Sequence, residues 1–402
     1  MKLLIVTQCF APDIYAVNDL VRRLVQRGHR VTVLTGLPDY TTGRIPREYR
    51  WFRRRREVYE GAQVYRVSTI ARRTGPVWRS LNYLSFAVSG WLAAGFLRWR
   101  DFDAIYVWQV SPVTMAIPAI RLKQRYHKPL FLYCMDLWPE SVKAMGFEEG
   151  GLLFGTVARL SRWIYRRCDL VAVSSEPFRE YLVRTAGLDA GRLPLLYQYA
   201  PLPETLPVKP PNGHIDFLFI GNVGKVQQVD LLLRACARLA RGGWTLHIVG
   251  GGSELERCKA LARQLDLGEA VQFHGSCPPE RTGGFYRRAD ACLLALRGGD
   301  MIGQTLPGKL QTYLAAGKPV LAAIDGAGRQ VIEQSGCGRC VPAGDEAGFA
   351  ALLADFVRRP QDFADCGRRG RAYFEQEFTA ERHLSRLERM LEALREEGKK
   401  TP

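Results

Sequence analysis

Long hydrophobic runs are missing from this 402-residue chain. The opening twelve residues hold one lysine and only Leu3 to Val6 as an apolar run before Thr7 and Gln8. That is too short for the core of a signal peptide, so it reads as a buried first strand. Metal-binding patterns are missing too, with no HExxH and no paired His/Cys ligands, so no metal site is expected. Cys337-Gly-Arg-Cys340 has no second pair at zinc spacing and no thioredoxin-like unit around it, and it is read as structural. The ten cysteines are scattered, several in apolar runs (Cys134, Cys292), which suits a reducing cytoplasm. Carboxylates are in deficit, 40 against 57 lysines and arginines, leaving a net charge of +17. An anionic partner follows: anionic lipid or a phosphorylated small molecule before nucleic acid, because homeodomain, finger and single-strand RNA signatures are absent.

What is present reads as globular throughout, with 47% hydrophobic residues and length for two or three domains. Leu3–Thr7, Asn18–Gln26 and Arg30–Leu34 form a β-α-β unit, the start of a doubly wound parallel sheet. Further strands are predicted at 104–107, 129–133 and 170–174, then at 215–220, 246–249 and 271–275. Five prolines between Tyr199 and Gly213 mark a linker. The expected domains are 1–198, the linker 199–213, a second Rossmann-like domain at 214–372, and a C-terminal segment, 373–402. The last carries one charged helix, Tyr373–Glu397, with Leu384, Leu387 and Leu391 as its stripe. Asp101-Phe-Asp103 precedes a strand, at the wrong end for a ligand, and is read as a surface turn.

Basic and aromatic residues interleave at Arg44, Arg47, Arg50, Trp51, Phe52 and Arg53–Arg56. Such a run is a solvated face or a membrane interface. Ser80–Leu97 holds no charged residue, but eighteen residues with Asn82, three serines and two glycines is marginal for a bilayer span. It is expected to be a helix packed on the sheet, with one aromatic face toward lipid.

Gly303–Val320, GQTLPGKLQTYLAAGKPV, turns from a polar, glycine-rich loop into a helix with Leu310, Tyr313 and Leu314 on one face. Pro307 fits the first turn of that helix. Unpaired amides at the start of that helix, with Lys309 in the same turn, would converge on a phosphate. An ordinary strand, loop and helix unit with a solubilising lysine is the other reading. Gly221-Asn222-Val-Gly-Lys225 offers two glycines and a cation between strand and helix, again suited to an oxyanion. Asp136 stands just past a strand's carboxyl end, where it would meet a ligand or else cap a helix, as Glu140 could. His274 alone is an ordinary satisfied histidine.

The Gly303–Val320 segment resembles the donor-binding stretch of family 4 retaining glycosyltransferases. Asp136-Leu-Trp-Pro-Glu-Ser141 resembles the acceptor-side motif of that family, and Gly250-Gly-Gly-Ser253-Glu254 its Gly-Asp-Gly-Pro-Glu turn. The run at 35–50 followed by LNYLSFAVSG resembles the branch that decorates lipid-linked sugars for O-antigen and colanic-acid-type polysaccharides. The resemblance implies the α/β fold called GT-B, two Rossmann-like doubly wound parallel-sheet domains facing across a cleft. It implies a nucleotide-diphosphate sugar donor, UDP-linked, bound at Gly221, Asn222, Lys225, Gly251, Glu254, Phe273, His274, Thr305, Leu306, Pro307 and Thr312. It implies catalytic roles for Asp136 on the acceptor hydroxyl, Lys309 on the departing diphosphate and Gln304 near the transferred sugar. No metal or other cofactor is implied. The implied partners are a polyprenyl-diphosphate-linked glycan and the anionic inner face of the cell membrane.

The chain departs from the family at three pairs of positions. Tyr15 and Ala16 stand where two glycines are usual, Asn222 and Gln227 where an arginine and a lysine are, and Gln304 and Thr312 where two glutamates eight apart are. The last pair motivates one alternative, a non-catalytic scaffold of a polysaccharide assembly complex; a nucleotide-sugar epimerase on the same fold is a third reading.

Overall fold

The computed structural model describes all residues except 41–42, 97–98, 100, 144–150, 201–208, 210–211, 300, 302 and 401–402. Most of the expected linker 199–213 therefore lies outside the described residues. The chain divides into two compact units, 1–196 with 384–402, and 197–383.

The first unit holds a seven-stranded sheet built from β1 (Lys2–Val6), β2 (Arg30–Thr35), β3 (Arg56–Tyr59), β4 (Ala62–Arg66), β5 (Ala104–Gln109), β6 (Leu130–Cys134) and β7 (Leu170–Val173). Their order is β3-β4-β2-β1-β5-β6-β7. β5 and β6 are buried along their whole length, as continuous apolar strands covered on both faces must be. All pairings are parallel except β3 with β4. That antiparallel edge hairpin, carrying the end of the arginine run, has only a weak sequence signal because its strands are short and polar.

After β1, helix α1 (Ala16–Gln26) buries Val17, Leu20, Val21 and Leu24. The uncharged segment is helix α2 (Pro76–Phe96), which buries Asn82, Phe86, Ala87, Gly90 and Ala94. Its partner is not the sheet, as the sequence suggests, but α3 (Ile117–Tyr126). Gly90 permits this close approach: a Cβ there would lie 2.5 Å from Pro118 Cγ. Among the described residues no helix is long and apolar enough to cross a membrane. Asp101 pairs with Lys2 and Arg30 at the amino end of the sheet, a surface turn as expected.

The second unit holds β8 (Ile215–Ile220), β9 (Trp244–Val249), β10 (Val271–Gly275), β11 (Ala291–Ala295), β12 (Val320–Ala323) and β13 (Gly338–Val341). They form one parallel sheet in the order β10-β9-β8-β11-β12-β13. The helices that matter below are α4 (Leu255–Gln264), α5 (Gly308–Ala315), α6 (Gly326–Ser335), α7 (Cys366–Glu377) and α8 (Ala380–Lys400). All ten cysteines are free thiols, and Cys337 is fully buried at the start of β13.

The single terminal helix expected from Tyr373 to Glu397 is two, α7 and α8. Thr379 breaks it, its hydroxyl accepting from the Arg382 amide at 3.3 Å. Phe378 is fully buried against Phe374 and Tyr373, and its carbonyl accepts from Ala200. Both helices are amphipathic, so the periodicity hides the break. The stripe Leu384, Leu387, Leu391 and Leu394 is buried, and Glu388 holds Arg27 and His29 of the first unit at 2.7 and 2.8 Å. Truncating Leu387 to Ala is expected to cost about 2–5 kcal/mol, as a lost core side chain plus its cavity does. Urea unfolding of the two proteins checks this, and a change below 1 kcal/mol would contradict that packing.

Candidate functional site

In the second unit the strand order reverses between β8 and β11, and in open parallel sheets ligands sit outside the carboxyl ends at such a point. Tyr313, fully buried on α5, ties the two strands together: its hydroxyl accepts from the Ile220 amide at 3.1 Å and lies 3.3 Å from the Leu293 carbonyl. Sequence spacing marked Tyr313 only as apolar.

The loops after β8, β9 and β10 are knitted backbone to backbone. The Gly250 amide donates to the Gly275 carbonyl (2.8 Å), Val223 to Gly251 (2.8 Å), and Glu254 to Val223 (3.0 Å). Gly250 has φ +145, and a Cβ on it would lie 1.9 Å from the Gly221 carbonyl oxygen. Only glycine serves there. The sequence-predicted Gly221, Asn222, Gly251 and Glu254 are thus brought into one rim.

Lys309 enters that rim from α5. Pro307 is the N-cap of the helix, one position before the expected first turn, and Gly308 and Lys309 open it. A Cβ on Gly221 would lie 3.1 Å from both Cε and Nζ of Lys309. Nζ sits 3.9 Å from the centroid of the Phe219 ring, is shielded from solvent, and has no hydrogen-bond partner among the described residues. Burial drives its pKa from 10.5 down to about 7. A cation–π contact of this kind supplies about 2 kcal/mol, less than the cost of desolvating an unpaired ammonium. The group is therefore poised for an anion, which would restore its charge.

The remaining candidates are less concentrated. Lys225 is exposed on a 3-10 turn, and Asn222 donates to Gln227 at 3.3 Å, so two neutral side chains occupy each other. Glu254 occupies the N-cap position of α4 without a side-chain capping bond, and its carboxylate pairs with Arg257 at 3.2 Å. Phe273 packs on the apolar core, while His274 projects at the end of β10 against Phe285 and His247. Burial, then His247, lowers the His274 pKa. Thr305 and Leu306 are half-buried before the cap. Gln304 is anchored to α6: its carbonyl accepts from Ala327 at 3.1 Å, and Gly326 leaves room for its amide. The Thr312 hydroxyl donates to the Gly308 carbonyl at 3.3 Å.

In the first unit, Asp136 is half-buried after β6, and its carboxylate accepts from the Ser111 amide at 2.7 Å. Gln109 holds the Asp136 carbonyl (2.8 Å) and Trp138 donates to Ser111 (3.1 Å), so the β5 and β6 loops brace each other around the carboxylate. Glu140 is consumed by Tyr181 and Lys143. Where the family has two glycines, Asn18 ties Ala11 and Asp13, stiffening the loop beside Tyr15. Sequence reasoning missed Asp39, buried and accepting from the Arg72 amide and Asn82, each at 2.8 Å. Burial pushes its carboxyl up to about 6. Asn82 in turn accepts from Gln8 at 2.7 Å. The available signal was Asn82 itself, a polar residue in an otherwise uncharged helix.

Comparison with known proteins bears on the whole chain. Residues 15–197 match the family model described as a glycosyl transferase 4-like domain, and residues 207–373 the model for glycosyl transferases group 1. The chain is 23% identical over 298 residues to the probable glycosyltransferase WbjE of Pseudomonas aeruginosa, covering 71% of this chain and 73% of WbjE. It is 24% identical over 347 residues to the putative colanic acid biosynthesis glycosyl transferase WcaI of Escherichia coli, covering 79% and 82%. The solved structure of Anabaena HepE in complex with UDP and glucose has the same fold, with a TM-score of 0.69 over 98% of this chain and 100% of HepE at 14% identity.

The Lys309 environment has a stability signature. Its folded pKa lies below its unfolded value, so the penalty is complete below about pH 7 and is relieved as pH rises from 7 toward 10.5. Lys309→Met is expected to stabilise the ligand-free protein by roughly 1–4 kcal/mol, more at pH 6 than at pH 9. Urea unfolding at both values checks it, and a destabilised variant would contradict the assigned environment.

Proposed function

The chain belongs to the family 4 glycosyltransferases of GT-B fold, enzymes of lipopolysaccharide and exopolysaccharide synthesis, and from that premise we propose that it moves a sugar from a UDP-sugar to a lipid-linked glycan with retention of anomeric configuration. The observation that carries this reading is the unpartnered, shielded Lys309 ammonium against Gly221. The chemical difficulty in such a transfer is departure of a diphosphate. An ammonium and helix amides fixed where that charge develops lower the barrier by about 3–4 kcal/mol for each key donor. UDP is the choice of nucleotide because HepE, of like fold, was solved with it.

Asp136, held by Ser111, orients the acceptor hydroxyl and receives or shares its proton, with the leaving phosphate assisting. Attack on the same face as departure needs no enzyme nucleophile and no metal or other cofactor. Gln304 and Thr312 contact the sugar and ribose as neutral hydrogen-bonding groups. The work is done at the inner face of the cell membrane. Supporting this, Trp51 and Phe52 are 88% and 79% exposed, and Arg54 and Arg55 lie over Tyr49 and Phe52.

Lys309→Ala is expected to lower kcat/KM by at least ~100-fold, and Asp136→Asn to lower kcat by ~100-fold or more while leaving UDP affinity within twofold. Proton NMR of the product reports the anomeric outcome. Unaltered turnover in Lys309→Ala would end the proposal, UDP-sugar binding without turnover on any acceptor would mark a scaffold, and product formed with no acceptor an epimerase.

Replacing the exposed Arg53, Arg54 and Arg56 with Glu is expected to weaken sedimentation with phosphatidylglycerol vesicles by at least ~100-fold, at about 1 kcal/mol per basic residue. Partition equal to that of the parent protein would remove the membrane surface from the reading.

A further inference from the structure

The first unit contains a cavity of about 1190 Å³ whose described lining includes Arg44, Arg50, Arg72, Arg73 and Arg79, together with Tyr40, and no carboxylate. Two of these guanidinium groups lie on aromatic rings: Arg72 is 4.7 Å from the Tyr40 centroid and Arg73 is 4.5 Å from that of Trp78. A stacked guanidinium has its plane fixed and its N–H edge turned to the side, which suits phosphate oxygens. Arg73 and Arg79, both exposed, bring like charge to the same concavity, which a multiply charged anion offsets.

One wall of the cavity continues into α2. Along that helix Val77, Leu81, Leu84, Val88, Trp91 and Phe96 recur at intervals of three to five residues, each more than a third exposed. They form an apolar stripe about 30 Å long that starts at the arginines; α2 carries no charged residue from Ser80 to Phe96, and the one guanidinium described on the stripe is Arg121 of α3, 3.4 Å from the Trp91 centroid. A second connection leads toward Asp136. Arg72 lies 6.0 Å over Tyr83, and Tyr83 packs edge-on at 6.3 Å against Trp138, two residues from Asp136.

We propose that this cavity seats the diphosphate of a polyprenyl-diphosphate glycan, with the adjoining isoprenoid units lying along the exposed stripe of α2. The assignment rests on the lipid-linked acceptor proposed above. The geometry fits a discrete head joined to a hydrocarbon tail. A diphosphate diester carries two charges where a phospholipid head carries one, and a concavity grips a head that a flat bilayer surface would not insert. The first sugar beyond the diphosphate then lies on the side of Tyr83 and Trp138, where the acceptor carboxylate stands.

Farnesyl diphosphate is the probe, titrated calorimetrically into the full chain. It is expected to bind at least tenfold more tightly than farnesyl monophosphate or inorganic diphosphate. Arg73→Gln with Arg79→Gln, both exposed positions, should weaken it at least tenfold without changing the melting temperature. Leu84→Gln with Val88→Gln should weaken farnesyl diphosphate and leave inorganic diphosphate unaffected, and Lys309→Met should leave binding of the farnesyl probe intact. Equal affinity in the arginine variant, or loss of binding in Lys309→Met, would overturn the assignment. So would an arginine variant that loses phosphatidylglycerol vesicles but keeps farnesyl diphosphate, since the cavity would then serve the bilayer. Transfer assays on membrane lipid extracts separate the two layers of the argument. A tenfold higher acceptor KM with kcat within twofold supports the cavity, whereas unchanged KM in the variant overturns the cavity alone. A parent protein active only on water-soluble glycans overturns the lipid-linked acceptor as well.

Discussion

A single ammonium group organises the second unit. Lys309 is carried to its position by α5, wedged against a residue that must be glycine, and left over an aromatic ring with nothing to bond to. Burial alone accounts for its lowered pKa, so the protein spends stability to keep this cation dry. A structural lysine would be expected to snorkel to water or find a carboxylate. The surroundings explain how the position is enforced: Tyr313 locks β8 to β11, and the glycine loops after β8 and β9 interlock so tightly that no Cβ fits at Gly250.

The first unit uses the opposite means toward a similar end. Its strand-end loops are braced by side chains, with Asp136 on the Ser111 amide, Trp138 on the Ser111 hydroxyl, and the chain Gln8, Asn82, Asp39 and the Arg72 amide behind them. Buried polar groups of this kind are tolerable only when paired, and pairing fixes the loops. Asp39 accepts two donors yet stays easier to protonate than an ordinary aspartate, because burial outweighs those hydrogen bonds. Tyr15 and Asn18 likewise replace the flexibility of paired glycines with a held turn.

Sequence and structure agree where one period dominates. β8 and β10 match their expected residues, and most other strands fall within two positions, because buried parallel strands are short apolar runs bounded by turn residues. Lys309 and Gly221 were legible as candidates because a glycine loop and a helix start carry local signals. Their contact was not, since it joins residues 88 positions apart through the sheet order. The β3/β4 hairpin was hidden by its charge, and the break at Thr379 by two amphipathic helices in succession. Asp39 was invisible for the same reason as the contact: its partners come from the loop before α2 and from α2 itself.

The neutral residues at 304 and 312 gain a physical meaning from this arrangement. Residue 312 lies three positions after Lys309 on α5, the spacing at which side chains on a helix meet. A glutamate there would face the ammonium, raise its pKa and share its charge. Thr312 turns its hydroxyl back to the Gly308 carbonyl instead, and Gln304 is tied to the start of α6, so neither brings a negative charge to the rim. An incoming anion restores the charge that burial has weakened on Lys309, and it encounters no carboxylate from these two positions. On the function proposed above, the absence of those carboxylates removes a repulsion against the diphosphate, at the cost of a less stable empty state. The loss of two carboxylates thus reads as a shift of electrostatic weight onto one lysine, and the shielding of that lysine is what makes the shift effective.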